Sequence, residues 1–108
     1  MPSPTSSTKA NKHKKPLLLR RIVGASMSPK LPPGRVVLAT GWFRSIKPGE
    51  VCIFQQDHKE KIKRVERISK GQLFFIGDNL NSSSDSRHFG WIKREAVLAK
   101  VIWPKVHN

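Results

Sequence analysis

Lys61-Ile62-Lys63-Arg64-Val65-Glu66-Arg67-Ile68, followed by Ser69-Lys70-Gly71 and then Leu73-Phe74-Phe75-Ile76, carries the clearest structural pattern in the sequence. In the first segment, side chains alternate between the two faces of a strand, so Lys63 shares a face with Val65. The three residues that follow are turn formers. The pattern predicts two strands joined by a tight turn.

Similar short apolar runs, rich in β-branched and aromatic residues, recur along the chain between Gly, Pro and Ser residues. They span 17–23, 36–39, 51–55, 62–68, 73–76 and 97–103. Their spacing is typical of strands, and only a turn or two of helix is expected, around 28–31 or 91–96. The sequence therefore predicts a mostly β fold, a single small antiparallel β-barrel or coiled sheet.

The length and the composition of the N-terminus define the domain organisation. A chain of 108 residues has room for one domain with one modest core. Residues 1–15 are mainly Ser, Thr, Lys, Asn and Pro, and so few apolar groups cannot repay the entropy of ordering. We expect a disordered basic tail over 1–15 and one folded domain over 16–108.

The chain is strongly basic, with 21 Lys and Arg against 7 Asp and Glu and a formal charge of +14. Such a charge suits a polyanionic partner, either nucleic acid or an anionic membrane. Six of the basic residues and none of the acidic ones lie within residues 1–21, so the tail exaggerates the basic character of the fold. We expect peripheral contact of the tail with an anionic membrane rather than nucleic-acid binding.

Several classes of protein are disfavoured by what the sequence lacks. Cys52 is the only cysteine, which excludes an internal disulfide and a cysteine-based zinc site. The apolar stretch 16–19 is far shorter than the roughly 18 residues that span a bilayer. A secretory signal peptide is not apparent either. No metal, cofactor or transmembrane anchor is expected, and the chain is predicted to be cytoplasmic.

Val23-Gly24-Ala25-Ser26-Met27-Ser28-Pro29 places a serine at a bend after a strand, where a substrate can reach it. Taken alone, these small residues are more typical of an ordinary turn. Similarly, a lysine-rich strand is usually a solvated surface. The alternative for Lys63 is an inward side chain whose pKa is lowered by desolvation, leaving a neutral amine that can accept the proton of the Ser26 hydroxyl.

The segment 77–90, Gly-Asp-Asn-Leu-Asn-Ser-Ser-Ser-Asp-Ser-Arg-His-Phe-Gly, is too polar for a strand. By itself it could be a flexible serine-rich loop. However, the order of the boxes at 24–29, 62–65 and 77–90 resembles that of the signal peptidase I family, over nearly the whole body of the chain. Within that family, a short form without an anchor is most similar to the nickel-type superoxide dismutase maturation proteases.

The resemblance implies a serine-lysine endopeptidase with Ser26 as nucleophile and Lys63 as general base. It implies that the Ser83 hydroxyl orients the lysine amine. The backbone N–H of Ser26 would hold the oxyanion, and Gly24 occupies the position from which some members supply a second donor. Further residues would support the site structurally: Met27, Asp78, Asp85 and Arg87.

The implied reaction is removal of an N-terminal leader or pro-segment from a protein substrate bound as an extended strand. An anchorless general signal peptidase is an alternative, as is a basic β-barrel that binds nucleic acid without catalysis. A self-cleaving repressor-like peptidase fits less well, because the 77–90 loop belongs to the signal-peptidase side. A Ser-His-Asp triad using His58 or His88 is also less favoured, since His58 lies in a polar hairpin tip.

Overall fold

The computed structural model describes residues 14–79, 81 and 84–106. Most of the predicted tail and the predicted site residue Ser83 therefore lie outside the described residues. The described elements are β1 (Leu18–Arg21), β2 (Val36–Thr40), β3 (Val51–Gln56), β4 (Lys59–Ser69), β5 (Gln72–Ile76), α1 (Ser86–Phe89), β6 (Ile92–Lys93), a 3-10 helix (Arg94–Ala96) and β7 (Val97–Trp103).

The seven strands form one antiparallel sheet in the order β1-β2-β7-β3-β4-β5-β6. Within the described residues, β1 and β6 are free edges and the sheet does not close. The predicted mostly β, antiparallel fold is confirmed, in the form of a coiled sheet and not of a closed barrel. The segment 61–76 belongs to the β4–β5 hairpin, in which Ile68 pairs with Leu73.

The sheet coils strongly enough for both faces of its central strands to be buried. On β3, Cys52 and Phe54 pack in one cluster, while Ile53 packs in another with Ala39 and Ala99. Register shifts interrupt three strand pairs, and such bulges bend a strand and increase its twist. Consequently the polar strand β4 is buried at three successive positions, which simple alternation does not predict: Lys63, Arg64 and Val65.

The helical segments differ from expectation. The expected helix around 28–31 is a series of turns, while the 3-10 helix Arg94–Ala96 lies within the expected 91–96 region. Helix α1 was not predicted, because Ser and His are weak helix formers. It begins where the Asp85 carboxylate accepts a hydrogen bond from the Arg87 N–H at 3.0 Å, an N-cap contact.

Candidate active site

A cleft of about 400 Å³ lies where β1 ends and β4 begins. Its wall includes Ser26, Met27, Lys61, Lys63 and Ser84. The fold therefore brings the two residues predicted to do the chemistry to one cavity from positions far apart in the sequence. Neither His58 nor His88 lines this cleft.

Ser26 lies on a turn that is anchored on both sides. The next residue, Met27, is 1% exposed and packs with Ile22 and Leu31 in a core cluster, whereas Ser26 itself is half-buried. The turn is closed by a hydrogen bond from the Leu31 N–H to the Met27 carbonyl at 2.9 Å. Burial of Met27 thus fixes the backbone while leaving the serine hydroxyl at the wall of the cleft.

The beginning of the 77–90 segment lies directly against this turn. The Asn79 N–H donates to the Ser26 carbonyl at 2.8 Å, and its side-chain amide donates to the Ala25 carbonyl at 3.0 Å. A Cβ on Gly77 would lie 2.8 Å from the Ser26 carbonyl oxygen and 3.3 Å from the Ser26 Cβ. Only glycine allows so close an approach, so the polar loop and the serine turn form one packed unit.

Lys63 is buried, with 6% of the residue exposed. Desolvation by burial, followed by the positive charge of Lys61, lowers its pKa, and the carboxylate of Asp85 acts in the opposite direction. Among the described residues, neither the Ser26 hydroxyl nor the Lys63 amine has a hydrogen-bond partner. The two groups therefore share the cleft without a direct hydrogen bond.

Arg64, the neighbour of Lys63, is 1% exposed and makes a bidentate ion pair with Asp78, with N–O distances of 2.8 and 2.7 Å. It also donates to the carbonyls of Gly49 and Val106, both at 2.7 Å. Each of the three guanidinium nitrogens thus has a hydrogen-bond partner, as burial of a charge requires. The pair ties the strand that carries Lys63 to the loop that contacts Ser26.

Asp85 and Arg87 form a second ion pair, with 2.7 Å between Arg87 Nη2 and Asp85 Oδ2. The Gly77 N–H also donates to Asp85 Oδ2 at 3.0 Å. Desolvation opposes ionisation of this carboxyl, but the hydrogen bonds from Arg87 and from the Gly77 backbone outweigh it and lower its pKa to about 2. An Asp85 that is ionised at neutral pH therefore joins the start of the 77–90 segment, at Gly77, to Arg87.

Gly24 and the predicted oxyanion donor, the Ser26 N–H, lie at the start of the serine turn. Gly24 is exposed and has φ +84°. Among the described residues, no group accepts a hydrogen bond from the Ser26 N–H. Within the described residues, the Ser26 N–H is therefore an unpaired donor on the serine turn.

The structure also identifies cleft residues that the sequence patterns did not indicate. Arg20 on β1 makes a bidentate ion pair with Glu60 on β4, at 2.8 and 3.0 Å, beside the cleft. Lys61 donates to the Ser84 hydroxyl at 2.9 Å and lies 4.7 Å from the centre of the Phe89 ring. Nothing local marks these residues, because each pair joins segments far apart in the sequence.

Other candidate chemistry lies outside the cleft. Cys52 is fully buried, and desolvation raises the pKa of its thiol to about 12, so it is an inert core residue. In the described ranges, no three His, Cys, Asp or Glu side chains are grouped so as to hold a metal ion. No helix in the same ranges has the length and apolar character needed to cross a bilayer.

Comparison with known proteins gives an independent line of support. Residues 60–105 match the family described as Signal peptidase, peptidase S26. This region includes Lys63, Asp78, Asp85 and Arg87, while Ser26 precedes it.

Two curated relatives also match. Signal peptidase I of Bacillus caldolyticus is 42% identical over 48 residues, which cover 42% of this chain and 26% of the relative. Signal peptidase I of Buchnera aphidicola subsp. Acyrthosiphon pisum is 33% identical over 60 residues, which cover 56% of this chain and 18% of the relative. The chain thus matches only about a quarter or less of either relative's length. Together with the mostly β fold, these matches support a relationship of the chain to the signal peptidase I family.

Proposed function

We propose that this chain is a serine endopeptidase in which Ser26 is the nucleophile and Lys63 the general base. The observation that supports this most directly is a buried lysine with a lowered pKa in the same cleft as a serine at a fixed turn. A lysine is an effective base only when its neutral form is populated, and burial favours that form. The family relationship supports the same reaction class.

In the proposed mechanism, the neutral Lys63 amine accepts the Ser26 hydroxyl proton as Oγ attacks the scissile carbonyl carbon. The tetrahedral oxyanion receives a hydrogen bond from the Ser26 N–H. The C–N bond then breaks, and the Lys63 ammonium returns the proton to the departing amine. Water, deprotonated by the same lysine, hydrolyses the ester and releases the acid product and the Ser26 hydroxyl.

The remaining predicted site residues are assigned supporting roles. Ser83 is proposed to orient the Lys63 amine, and Gly24 to shape the turn before the oxyanion donor. Met27, Asp78, Asp85 and Arg87 hold the elements of the cleft in place. The burial of Met27 and the two ion pairs of the 77–90 segment support this assignment.

For the substrate, we propose a protein from which an N-terminal leader or pro-segment is removed. An extended segment can pair with the free edge of β1, whose last residues line the cleft. Processing of a nickel-type superoxide dismutase is the specific proposal, and general leader removal is the alternative. Incubation with a nickel superoxide dismutase precursor and with a secretory preprotein separates them: cleavage of the second alone contradicts the specific proposal.

The test of the catalytic assignment uses neighbouring serines as a matched pair. Ser26→Ala should reduce peptide hydrolysis to the background rate, because the nucleophile is lost. Ser28→Ala removes a hydroxyl from the same turn and should retain most of the activity. Lys63→Arg should be as inactive as Lys63→Met, since a guanidinium stays protonated at neutral pH.

Circular dichroism and thermal unfolding would show whether each variant is folded. A folded, active Ser26→Ala or Lys63→Arg variant would contradict the assigned roles. If the wild-type chain hydrolyses no peptide but binds oligonucleotides with a steep salt dependence, the nucleic-acid-binding alternative is favoured instead.

We further propose that the protein acts in the cytoplasm, with its basic tail in peripheral contact with an anionic membrane. The tail has Lys9 and Lys12, and the described part continues with Lys14 and Lys15. Basic residues next to an anionic surface each contribute about 1 kcal/mol of binding free energy.

A further inference from the structure

A second cavity, of about 290 Å³, lies beside the loop that follows β2. It is lined by Lys14, Gly41, Trp42, Phe43 and Arg44, none of which lines the cleft of Ser26 and Lys63. Trp42 is 69% exposed. The cavity thus combines cations and aromatic rings at a place with no role in the proposed peptidase reaction.

Two cations, Lys14 and Arg44, line this cavity, and a third, Arg94, lies beside it over the ring of Phe43. Lys14 Nζ lies 5.7 Å and Arg94 Cζ 5.4 Å from the centre of the Phe43 ring. Arg94 also donates to the Arg44 carbonyl at 3.0 Å. Within the described ranges, none of these three cations has an acidic partner. A bound anion would relieve the mutual repulsion of these cations, most of all at the partly buried Lys14.

The electrostatic environment of Lys14 also favours a bound anion. Desolvation by burial and then the charge of Arg94 lower the pKa of the Lys14 ammonium. Both effects disfavour the cation and would be offset by a bound anion.

The position of Lys14 is fixed by backbone contacts with the loop that follows β2. The Gly41 N–H donates to the Lys15 carbonyl at 2.7 Å, and a Cβ on Gly41 would lie 2.7 Å from that oxygen and 3.0 Å from the Lys14 Cβ. The Lys14 ammonium also donates to the carbonyl of Val97. Phe43 is held from the other side, since it packs against the core cluster that contains Phe54.

We propose that this cavity binds a phosphate group, with Lys14, Arg44 and Arg94 as its cationic partners and Trp42 against the group that carries the phosphate. Guanidinium and ammonium groups are the usual donors to phosphate oxygens. The phosphate can belong to a soluble monoester or to a lipid headgroup. A polynucleotide fits less well, because it needs a groove that follows successive phosphates.

In the first experiment, inorganic phosphate is titrated into the full chain, and binding is measured by isothermal titration calorimetry and by tryptophan fluorescence. Saturable binding with a fluorescence change that is lost in Trp42→Phe is expected. Lys14→Gln and Arg94→Gln should each weaken binding about tenfold, as expected for a lost charge-assisted hydrogen bond. Lys93→Gln is the matched control, because it removes an exposed cation next to Arg94 that, unlike Lys14 and Arg94, does not lie over the Phe43 ring.

Gly41→Ala separates the geometry of the site from its charge. This substitution leaves every charge in place but forces the Lys14–Lys15 segment away from residue 41. Phosphate binding should therefore weaken, while the far-ultraviolet circular dichroism spectrum should remain that of the wild type. The proposal is overturned if phosphate gives no saturable signal, or if Lys93→Gln weakens binding as much as Arg94→Gln does.

The second experiment separates the sources of the phosphate. It compares vesicles containing phosphatidic acid, which exposes a phosphomonoester, with phosphatidylglycerol vesicles of equal surface charge. A lipid headgroup is identified if the protein prefers phosphatidic acid vesicles, if inorganic phosphate competes with this binding, and if Arg94→Gln abolishes the preference. Equal, weak binding to both vesicles with saturable phosphate binding identifies a soluble monoester. The proposal is overturned in favour of a nucleic-acid site if an oligonucleotide binds more tightly than the vesicles and inorganic phosphate do, and if the salt dependence of its affinity corresponds to contacts with several phosphates.

Discussion

At the scale of single residues, the state of Lys63 determines whether the cleft can act as a base site. Its ammonium is disfavoured by burial and by the neighbouring charge of Lys61, and is favoured by Asp85. The pKa is therefore below the ordinary value of 10.5, and the neutral amine becomes available at lower pH than in a solvated lysine. The rate of a lysine-catalysed reaction should rise with pH on the alkaline side of neutrality.

This balance leads to a prediction for Lys61→Gln. Removing the positive charge removes one of the two effects that lower the pKa of Lys63, so the ascending limb of kcat/KM against pH should move to higher pH. Lys59→Gln, an exposed control on the same strand, should leave the limb in place. Peptide hydrolysis measured between about pH 5 and about pH 10 covers both the lysine and the histidine ranges. A limb near the ordinary histidine value that disappears in His88→Ala would contradict lysine as the base.

The shifted pKa of Asp85 makes the stability of the fold depend on pH. The folded-state pKa of Asp85 is about 2, below the ordinary value of 3.8. Its carboxylate therefore stabilises the fold fully at pH values above the ordinary pKa. This contribution is lost as the pH falls through about 2.

Asp85→Asn should therefore lower the free energy of unfolding at neutral pH by roughly 2 kcal/mol and flatten its dependence on pH between about 4 and about 2. Urea unfolding across this range is the measurement. Asp57→Asn, in the exposed β3–β4 turn, is the matched control and should retain the wild-type slope. An acid transition that is identical in Asp85→Asn and in the wild type would show that another carboxylate is responsible.

At the scale of elements, the serine turn and the start of the 77–90 segment behave as one unit because their backbones are in contact. The unit is connected to β4 through the Arg64–Asp78 pair and to α1 through the hydrogen bond of Gly77 to Asp85. The position of Ser26 thus depends on residues about 50 positions later in the chain.

Gly77→Ala should therefore impair catalysis more than binding. Its methyl group would lie 2.8 Å from the Ser26 carbonyl oxygen, so the turn must move. We expect kcat to fall by tenfold or more with a small change in KM, because even small misplacement of a nucleophile is costly. Asn79→Ala should act in the same direction through loss of its bond to Ala25, whereas Asn81→Ala, which contributes only its backbone N–H, should not. Wild-type kcat in Gly77→Ala would mean that the turn adapts without consequence.

At the scale of the whole molecule, most of the net charge of +14 lies on a small folded body, and the tail adds to it. The described residues Lys14 and Lys15 contact the loop after β2, so a deletion that separates tail from fold should end before them. Deletion of 1–13 should preserve peptide hydrolysis, because it removes none of the described residues that line the cleft. It should reduce binding to anionic vesicles about tenfold or more at low salt through loss of Lys9 and Lys12, and much less at high salt. Unchanged vesicle binding would exclude the tail as a membrane contact.

The sequence by itself was sufficient for the fold class and for the resemblance to the signal peptidase I family. The strand lengths, the turn residues between them and the three boxes are local patterns, and each can be interpreted without knowing what packs against what. The β4–β5 hairpin illustrates this, because alternation and turn chemistry are set by neighbouring residues. The predicted general base likewise lies on a strand whose pattern is visible in the sequence.

The burial of β4 and the composition of the cleft were decided only by the tertiary structure. Alternation predicts one buried face, but coiling of the sheet buries both Lys63 and Arg64, and the charge of Arg64 is accommodated by Asp78 and by carbonyls from two distant segments. The Arg20–Glu60 pair and the cations around Phe43 likewise join parts of the chain that are remote in sequence. Such contacts depend on how the sheet coils, and burial and charge proximity, which set the pKa of Lys63, are properties of that packing rather than of any local pattern.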